Sequence, residues 1–591
     1  MATVRLRTST AVAAAALMAT LVPAGGAAGA PAAGPPPDPT AGYDAPPVDW
    51  EPCEASIYGP ALPDNYRCAF YPVPLDYADP DGGTVDVAVV KRLADDPGVR
   101  LGSLFVNPGG PGGSGFDIVA FAGDFLFDPA VSSAYDIVGF DPRGIVASAP
   151  LQCFEGRENP GEYLDWFLWP RDRHEIRASV DNAERLDDAC RRVGGDIRDN
   201  MSSSDVVSDM EVLRRAVGDD EMNFVGYSYG SYLAAVYANR YPDRVGAIVA
   251  DGVIDPVEWA TGDEPRESRR VPLEGRLRSD LGAQATLEEF FRLCDEAGPE
   301  GCAFAPDSAA RYEALYADFE ADPLVVSFPR GVFDEQFLAS VTLGSMYSSL
   351  GWRFLAEDLV FFEQIAAAER PLTRSTEAEI ERRLARLPYP PFYIGNEQFL
   401  GVVCSDSDSP RRISAWTRWA EQAVGPLGQL WAWNDRQCVE WSGEDEDRYQ
   451  GPFTADTANP VLVASTRFDP ATDYSGAVAL DEYLPNSILL TVEGWGHTTP
   501  FLSQCADAIT TAYLLRQDLE GGEFTCEQDI GPFDIPEEPA VPEDQAEALV
   551  GPPDPIAGAA DALEAAGDPE TAQRLREREA FIGLAGTRRP G

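Results

Sequence analysis

The sequence predicts an α/β fold: a mostly parallel sheet flanked by helices, with a largely helical cap insertion. Three observations predict it. Up to about residue 255, short apolar runs of strand character alternate with runs whose apolar residues recur at helical spacing. From 256 to about 400 that alternation stops, and the pattern is mostly helical, broken by prolines and charges. Strand-like runs then resume at 460–465 and 487–492.

The elements follow in order. Residues 1–30 read as a signal peptide. Arg5 and Arg7 open it, and 11–22 (AVAAAALMATLV) is apolar but too short to span a bilayer. Small residues follow, with cleavage expected near 27–30. The segment has no cysteine for a lipid anchor and no twin arginine, so general secretion is the expected route. Residues 31–47 (PAAGPPPDPTAGYDAPP) read as a Pro-rich linker with little capacity to pack. Residues 48–255 are expected to form the first part of the sheet core. Its strands are 84–91 (TVDVAVVK), 103–106 (SLFV), 135–140 (YDIVGF), 222–225 (MNFV) and 245–250 (VGAIVA). The stretch 205–218 reads as a helix: Val206, Met210, Leu213 and Val217 share a face, serines precede them and Gly218 ends the run. A second helix is expected over 231–241, stopped by Pro242. Residues 256–400 are the cap insertion and 401–531 the second part of the core. From 532 to 591 the chain is an acidic Pro/Ala-rich tail, in which 556–565 and 569–581 suit short surface helices but no core.

Composition narrows the partners. The formal net charge is −53, and Lys91 is the single lysine among 45 basic residues. Such a surface argues against nucleic acid or an anionic membrane as a partner. Two alternatives stand for this composition: adaptation to salt, or a GC-rich codon bias that replaces lysine with arginine. The ten cysteines are Cys53, Cys68, Cys153, Cys190, Cys294, Cys302, Cys404, Cys438, Cys505 and Cys526. An even number in an exported chain suggests disulfides. Pairing between neighbours is expected, because it crosses no domain boundary. With no CxxC spacing and two histidines, no metal site is expected, and nothing calls for a cofactor. The sequence sets no oligomeric state.

The stretch VGYSYGS places Ser228 between Gly226 and Gly230. A G-x-S-x-G pentapeptide also arises by chance in a glycine-rich chain. Here it follows the strand-like MNFV and opens a helix. That is where a nucleophile elbow must lie, because the sharp turn lifts the hydroxyl above the sheet. Such a serine needs a base. His174 lies in the charged stretch PRDRHEIR and reads as a solvated helix residue. His497 lies in VEGWGHTTP, directly after the strand SILLTV, where an α/β sheet places its site. The acid precedes the histidine in chain order and follows the serine. Asp469, just beyond the strand PVLVAS, satisfies both conditions. Asp473 in the same loop is its main rival, and Asp251 and Asp255 after VGAIVA are others. Two backbone donors must hold the oxyanion. One is the amide of Tyr229; the other is expected from NPGGPGGSG, with Gly110 the choice and Gly109 its neighbouring alternative. Pro111 has no amide to give.

Together NPGGPGGSG, FDPRG, GYSYGSYLAAVYA, DPAT at Asp469 and GH at His497 resemble the exported actinobacterial tripeptidyl aminopeptidases. These are a branch of the prolyl-aminopeptidase family of serine peptidases with the α/β-hydrolase fold. The resemblance runs from about residue 50 to 526. It implies Ser228 as nucleophile, Asp469 as acid and His497 as base, acting on a peptide substrate to release short N-terminal peptides, often tripeptides. The sequence departs from the pattern at Asp473, where relatives often carry proline, and at Val146, where they often carry glycine. The acidic tail is a further departure.

An exopeptidase must also bind a free ammonium, so a carboxylate in or under the insertion is expected: Glu258, Glu264, Glu397 or Asp406. The arginine-rich stretch 265–278 either attracts carboxylate-bearing substrates or pairs with nearby acids. Two other functions share these residues. One is an esterase or other small-molecule hydrolase with the same triad, since a fold does not fix a substrate. The other is a binding protein on an inactive hydrolase scaffold, which usually lacks a triad member; all three positions are filled here.

Overall fold

The computed structural model of the chain describes residues 38–53, 62–154, 167–327, 330–367, 396–517, 519 and 522–534. Ten strands form one sheet in the order β1–β2–β3–β5–β4–β6–β7–β10–β11–β12. They are β1 (Glu51–Pro52), β2 (Tyr66–Pro74), β3 (Thr84–Arg92), β4 (Gly102–Asn107), β5 (Tyr135–Phe140), β6 (Met222–Tyr227), β7 (Val245–Asp251), β10 (Val461–Phe468), β11 (Ser487–Trp495) and β12 (Glu523–Glu527). The first three pair antiparallel with one another, and β3 pairs antiparallel with β5. Every pairing from β5 through β12 is parallel. The remaining strands, β8 (Leu324–Ser327) and β9 (Arg330–Phe333), form a separate antiparallel hairpin.

Burial explains the strand sequences. β4, β5, β6 and β7 are buried at every residue. Helices cover both faces of these strands, so they read as continuous apolar runs rather than alternations. On one face Val87, Val89, Phe105 and Val138 pack with helices α3 (Arg173–Val193), α4 (Ser203–Val217) and α5 (Tyr229–Arg240). On the other, Ala88, Val90, Leu104 and Ile137 pack with α1 (Gly115–Ala122), α2 (Pro129–Ala134) and the helix Gln504–Arg516. The cysteines pair as neighbours: Cys53–Cys68, Cys153–Cys190, Cys294–Cys302, Cys404–Cys438 and Cys505–Cys526.

Between β7 and β10 the chain leaves the sheet. It forms α6 (Pro256–Ala260), α7 (Leu273–Leu277), α8 (Ser279–Gly301), α9 (Ser308–Ala321), α10 (Glu335–Met346) and α11 (Trp352–Ala366). Helices continue past residue 400, over Asn396–Asp406, Ser414–Ala420 and Gly425–Ala432. The sequence placed the return to the core at 401; the sheet itself resumes at Val461. Two further differences concern the ends. The described part of the Pro-rich segment is docked, not loose. The Arg215 guanidinium donates to the carbonyls of Thr40 and Tyr43, and the Tyr71 hydroxyl donates to that of Pro46. Its side chains dock as well: the Tyr43 hydroxyl donates to the Pro72 carbonyl at 3.1 Å, and Tyr43 and Ala45 pack against the core, through distant elements that local composition does not reveal. At the other end Phe533 is buried against Phe290 and Trp352. Residues 1–37 and 535–591, which carry the expected signal peptide and nearly all of the tail, lie outside the described residues.

Candidate active site

Ser228 stands between the last residue of β6 and the first of α5, with φ 56° and ψ −122°. A non-glycine residue in this region is strained and persists only where its surroundings over-determine it. Those surroundings are visible. A Cβ on Gly226 would collide with the carbonyl of Gly230, and one on Gly230 would lie 2.9 Å from the Asn107 carbonyl oxygen. The Ser228 amide donates to the Asp251 carbonyl at 2.8 Å, and its carbonyl accepts from the Ser231 amide at 2.8 Å and the Ser231 hydroxyl at 2.5 Å.

Asp469 follows β10 directly and is almost fully buried. Its Oδ1 accepts from the amides of Ala471 (2.8 Å) and Thr472 (2.9 Å), and its Oδ2 from the Thr472 hydroxyl (3.0 Å). His497, in the loop after β11, turns Nδ1 toward the same carboxylate, 2.8 Å from Oδ2. A carboxylate at that distance favours the tautomer with hydrogen on Nδ1 and leaves Nε2 as the acceptor. The rival acids are engaged elsewhere. Asp473 accepts from the amide and hydroxyl of Ser475. Asp255 caps α6 through the amides of Val257 and Glu258. Asp251 accepts from the amide (2.9 Å) and hydroxyl (2.6 Å) of Thr499, and burial pushes its carboxyl up to about 7. His174 lies exposed at the start of α3.

Among the described hydrogen bonds none joins Ser228 to His497. The two share a frame instead. Tyr227 pairs with Asp251 across β6 and β7. The Asp251 carbonyl holds the Ser228 amide while its carboxylate holds Thr499, two residues past His497. Gly252 keeps the gap narrow, since a Cβ there would lie 3.3 Å from His497 Cε1.

The glycine-rich loop after β4 lies against the elbow. A Cβ on Gly109 would sit 2.7 Å from Ser228 Cβ and 3.0 Å from the Tyr229 nitrogen. The Gly109 amide donates to Asn107 Oδ1 at 2.9 Å. The amides of Gly110 and Tyr229 donate to no partner among the described residues. Asp141 ties the far end of this loop to the turn after β5. It accepts from the Ser114 hydroxyl (2.5 Å) and from the amides of Phe116 and Ala147 (both 3.2 Å), and burial raises its carboxyl to about 7. Sequence reasoning did not single out Asp141, although it lies inside FDPRG.

The four candidate carboxylates for an ammonium differ. Asp406 is buried and engaged by the amide and hydroxyl of Ser203 and the Trp259 indole. Glu258 is half-buried, burial raises it to about 7, and its Oε2 has no hydrogen-bond partner among the described residues. Glu397 is buried, which raises its carboxyl. Glu264 is exposed. In the arginine-rich stretch, Arg269 pairs with Asp408 at 2.6 Å and Arg278 with Asp280 at 3.0 Å. Arg276 is buried and donates to the Ser407 hydroxyl and the Glu258 and Trp259 carbonyls.

Residues 102–282 match the α/β-hydrolase fold family, and residues 423–526 match the TAP-like protein family. The relatives that span most of the chain include the following three. A tripeptidyl aminopeptidase of Streptomyces coelicolor is 28% identical over 506 residues, covering 81% of this chain and 86% of its own length. The serine protease Hip1 of Mycobacterium tuberculosis is 28% identical over 505 residues, covering 79% and 89%. A protein named carboxylesterase B, from the same species, is 30% identical over 507 residues, covering 83% and 91%.

Proposed function

Because the chain belongs to the α/β-hydrolase family, in its tripeptidyl-aminopeptidase-like branch, we propose that it is an exported serine peptidase that removes short N-terminal peptides from unblocked chains. The observation that carries the chemistry is the 2.8 Å approach of His497 Nδ1 to the buried Asp469, on loops tied through Asp251 to the strained Ser228. His497 Nε2 takes the Ser228 proton as the hydroxyl oxygen attacks the scissile carbonyl. The amides of Gly110 and Tyr229 hold the oxyanion. His497 then gives the proton to the leaving amine, and the acyl-enzyme forms. Water, activated by the same histidine, attacks the ester and releases the peptide. Asp469 keeps the imidazole in the required tautomer and stabilises the imidazolium. The described helices inserted between β7 and β10 serve as the cap over the site, and five disulfides suit an oxidising compartment.

The relative named carboxylesterase B favours a second reading, an esterase using the same residues. One matched set of substrates separates the two: a free-amino tripeptide anilide, its N-blocked form, a proline anilide and a short acyl ester. The aminopeptidase cleaves the free tripeptide and not the blocked one. Turnover falls by about four orders of magnitude or more in Ser228→Ala. Cleavage of the ester alone would sink the peptidase reading.

A further inference from the structure

The histidine loop is gripped from outside the sheet. Residues 347–351, between α10 and α11 of the insertion, lie directly on it. The His497 amide donates to the Tyr347 carbonyl at 3.0 Å, and Ser348 bridges to Gly496. Gly496 has φ 119°, and a Cβ there would lie 3.0 Å from the Tyr347 carbonyl oxygen, so only glycine lets the strands of chain approach this closely. The residue before it is held as firmly. The Trp495 indole donates to Glu289 of α8, its amide donates to Gln528, and Gln528 in turn donates to Ser349.

Within this grip the Tyr347 ring meets the His497 ring edge to face, centroids 5.0 Å apart and planes at 73°. The bond to Asp469 fixes one atom of the imidazole. It leaves the ring free to rock about that point, which would swing Nε2 away from the nucleophile. A second ring packed across the first removes that freedom.

We propose that Tyr347, supplied by the inserted segment rather than by the sheet, is a positioning residue that holds His497 in its catalytic orientation. The proposal rests on His497 being the base. The contact with His497 is made by the ring, which phenylalanine retains.

The test measures the rate at which a fluorophosphonate labels Ser228, a reaction that needs the base but no peptide site. It is run beside kcat and KM for the tripeptide anilide and the ester. Misplacement of a catalytic group by about 1 Å costs on the order of 100-fold. Tyr347→Ala should therefore label at least about tenfold more slowly and lose kcat on both substrates alike, with KM within about twofold. Tyr347→Phe should restore both rates. Tyr347→Leu fills similar volume without a ring, and should behave as the alanine variant if that one does not fold. Labelling at the wild-type rate in the alanine or leucine variant overturns the proposal. So does a raised KM with labelling and kcat intact, which would make Tyr347 a substrate contact. Failure of the wild type to label at all would instead overturn the serine-hydrolase reading on which the proposal stands.

Discussion

Asp469 and Asp473 share one loop, yet only Asp469 meets the histidine. The difference is the direction of a side chain after the strand end, which spacing alone leaves open; both acids fit the order of serine, acid and histidine, and the place just beyond the strand was what favoured Asp469, whose carboxylate lies 2.8 Å from His497 Nδ1. Asp469→Asn should lower kcat by about 10⁴-fold, since the amide presents the wrong partner to Nδ1. Asp473→Asn, which alters only the bonds to Ser475, should keep kcat within about threefold. Steady-state kinetics on the same anilide decides between them. Ser228 and His497 were legible because each follows a strand-like run in a few contiguous residues. Tyr347 was not. It touches His497 from a helical segment far up the chain, and nothing in SMYSS marks the contact.

At the scale of elements, legibility followed burial. β4 to β7 are enclosed on both faces, and their apolar runs announced them. β2 (YRCAFYPVP) carries two prolines and an arginine, which sequence patterns read as non-strand; it survives near the antiparallel end of the sheet, where proline is tolerated. β12 (EFTCE) is short and has glutamates at both ends. Its single ladder, to β11, is supplemented by Cys505–Cys526, which ties it to the helix Gln504–Arg516 across a separation of 21 residues. Replacing both cysteines by serine should cost about 3 kcal/mol of stability. Denaturant unfolding of the two proteins measures that difference, and an unchanged midpoint would show that the strand is held by its ladder alone.

For the whole molecule the dominant fact is acid. Burial raises Asp141, Asp251 and Glu258 to about 7, Asp406 to about 6 and Glu274 to about 8, all above the ordinary carboxyl value. The folded chain therefore binds more protons than the unfolded one between about pH 4 and pH 8. Stability from these groups is full below their unfolded values and is lost progressively as pH rises from about 4 through the folded values of about 6 to 8. Relief of self-repulsion among the −53 formal charges acts in the same direction. The melting temperature should be higher at pH 5 than at pH 8 at constant ionic strength, and the gap should narrow as salt screens the repulsive part. Scanning calorimetry at the two pH values checks it. A flat profile would mean that the buried acids find compensation in the unfolded chain. The acidity itself was legible from composition; which carboxyls it buries was not, because burial is set by packing between segments distant in the sequence, such as Thr499 against Asp251 and Ser114 against Asp141.

The long excursion between β7 and β10 also orders events in time. β7 lies inside the sheet, and the Ala464–Asp251 register that completes it joins residues on either side of the entire insertion. A nascent chain that has reached β7 therefore presents a bare strand edge until β10 has been synthesised and has found it. Pairing over such a separation is slow, and an open parallel edge is a template for other chains. Ser231 and Asn239, on the helix next to that edge, are already buried in the finished protein. The vulnerable moment in the life of this molecule is thus its assembly, in the interval when one half of the sheet waits for the other.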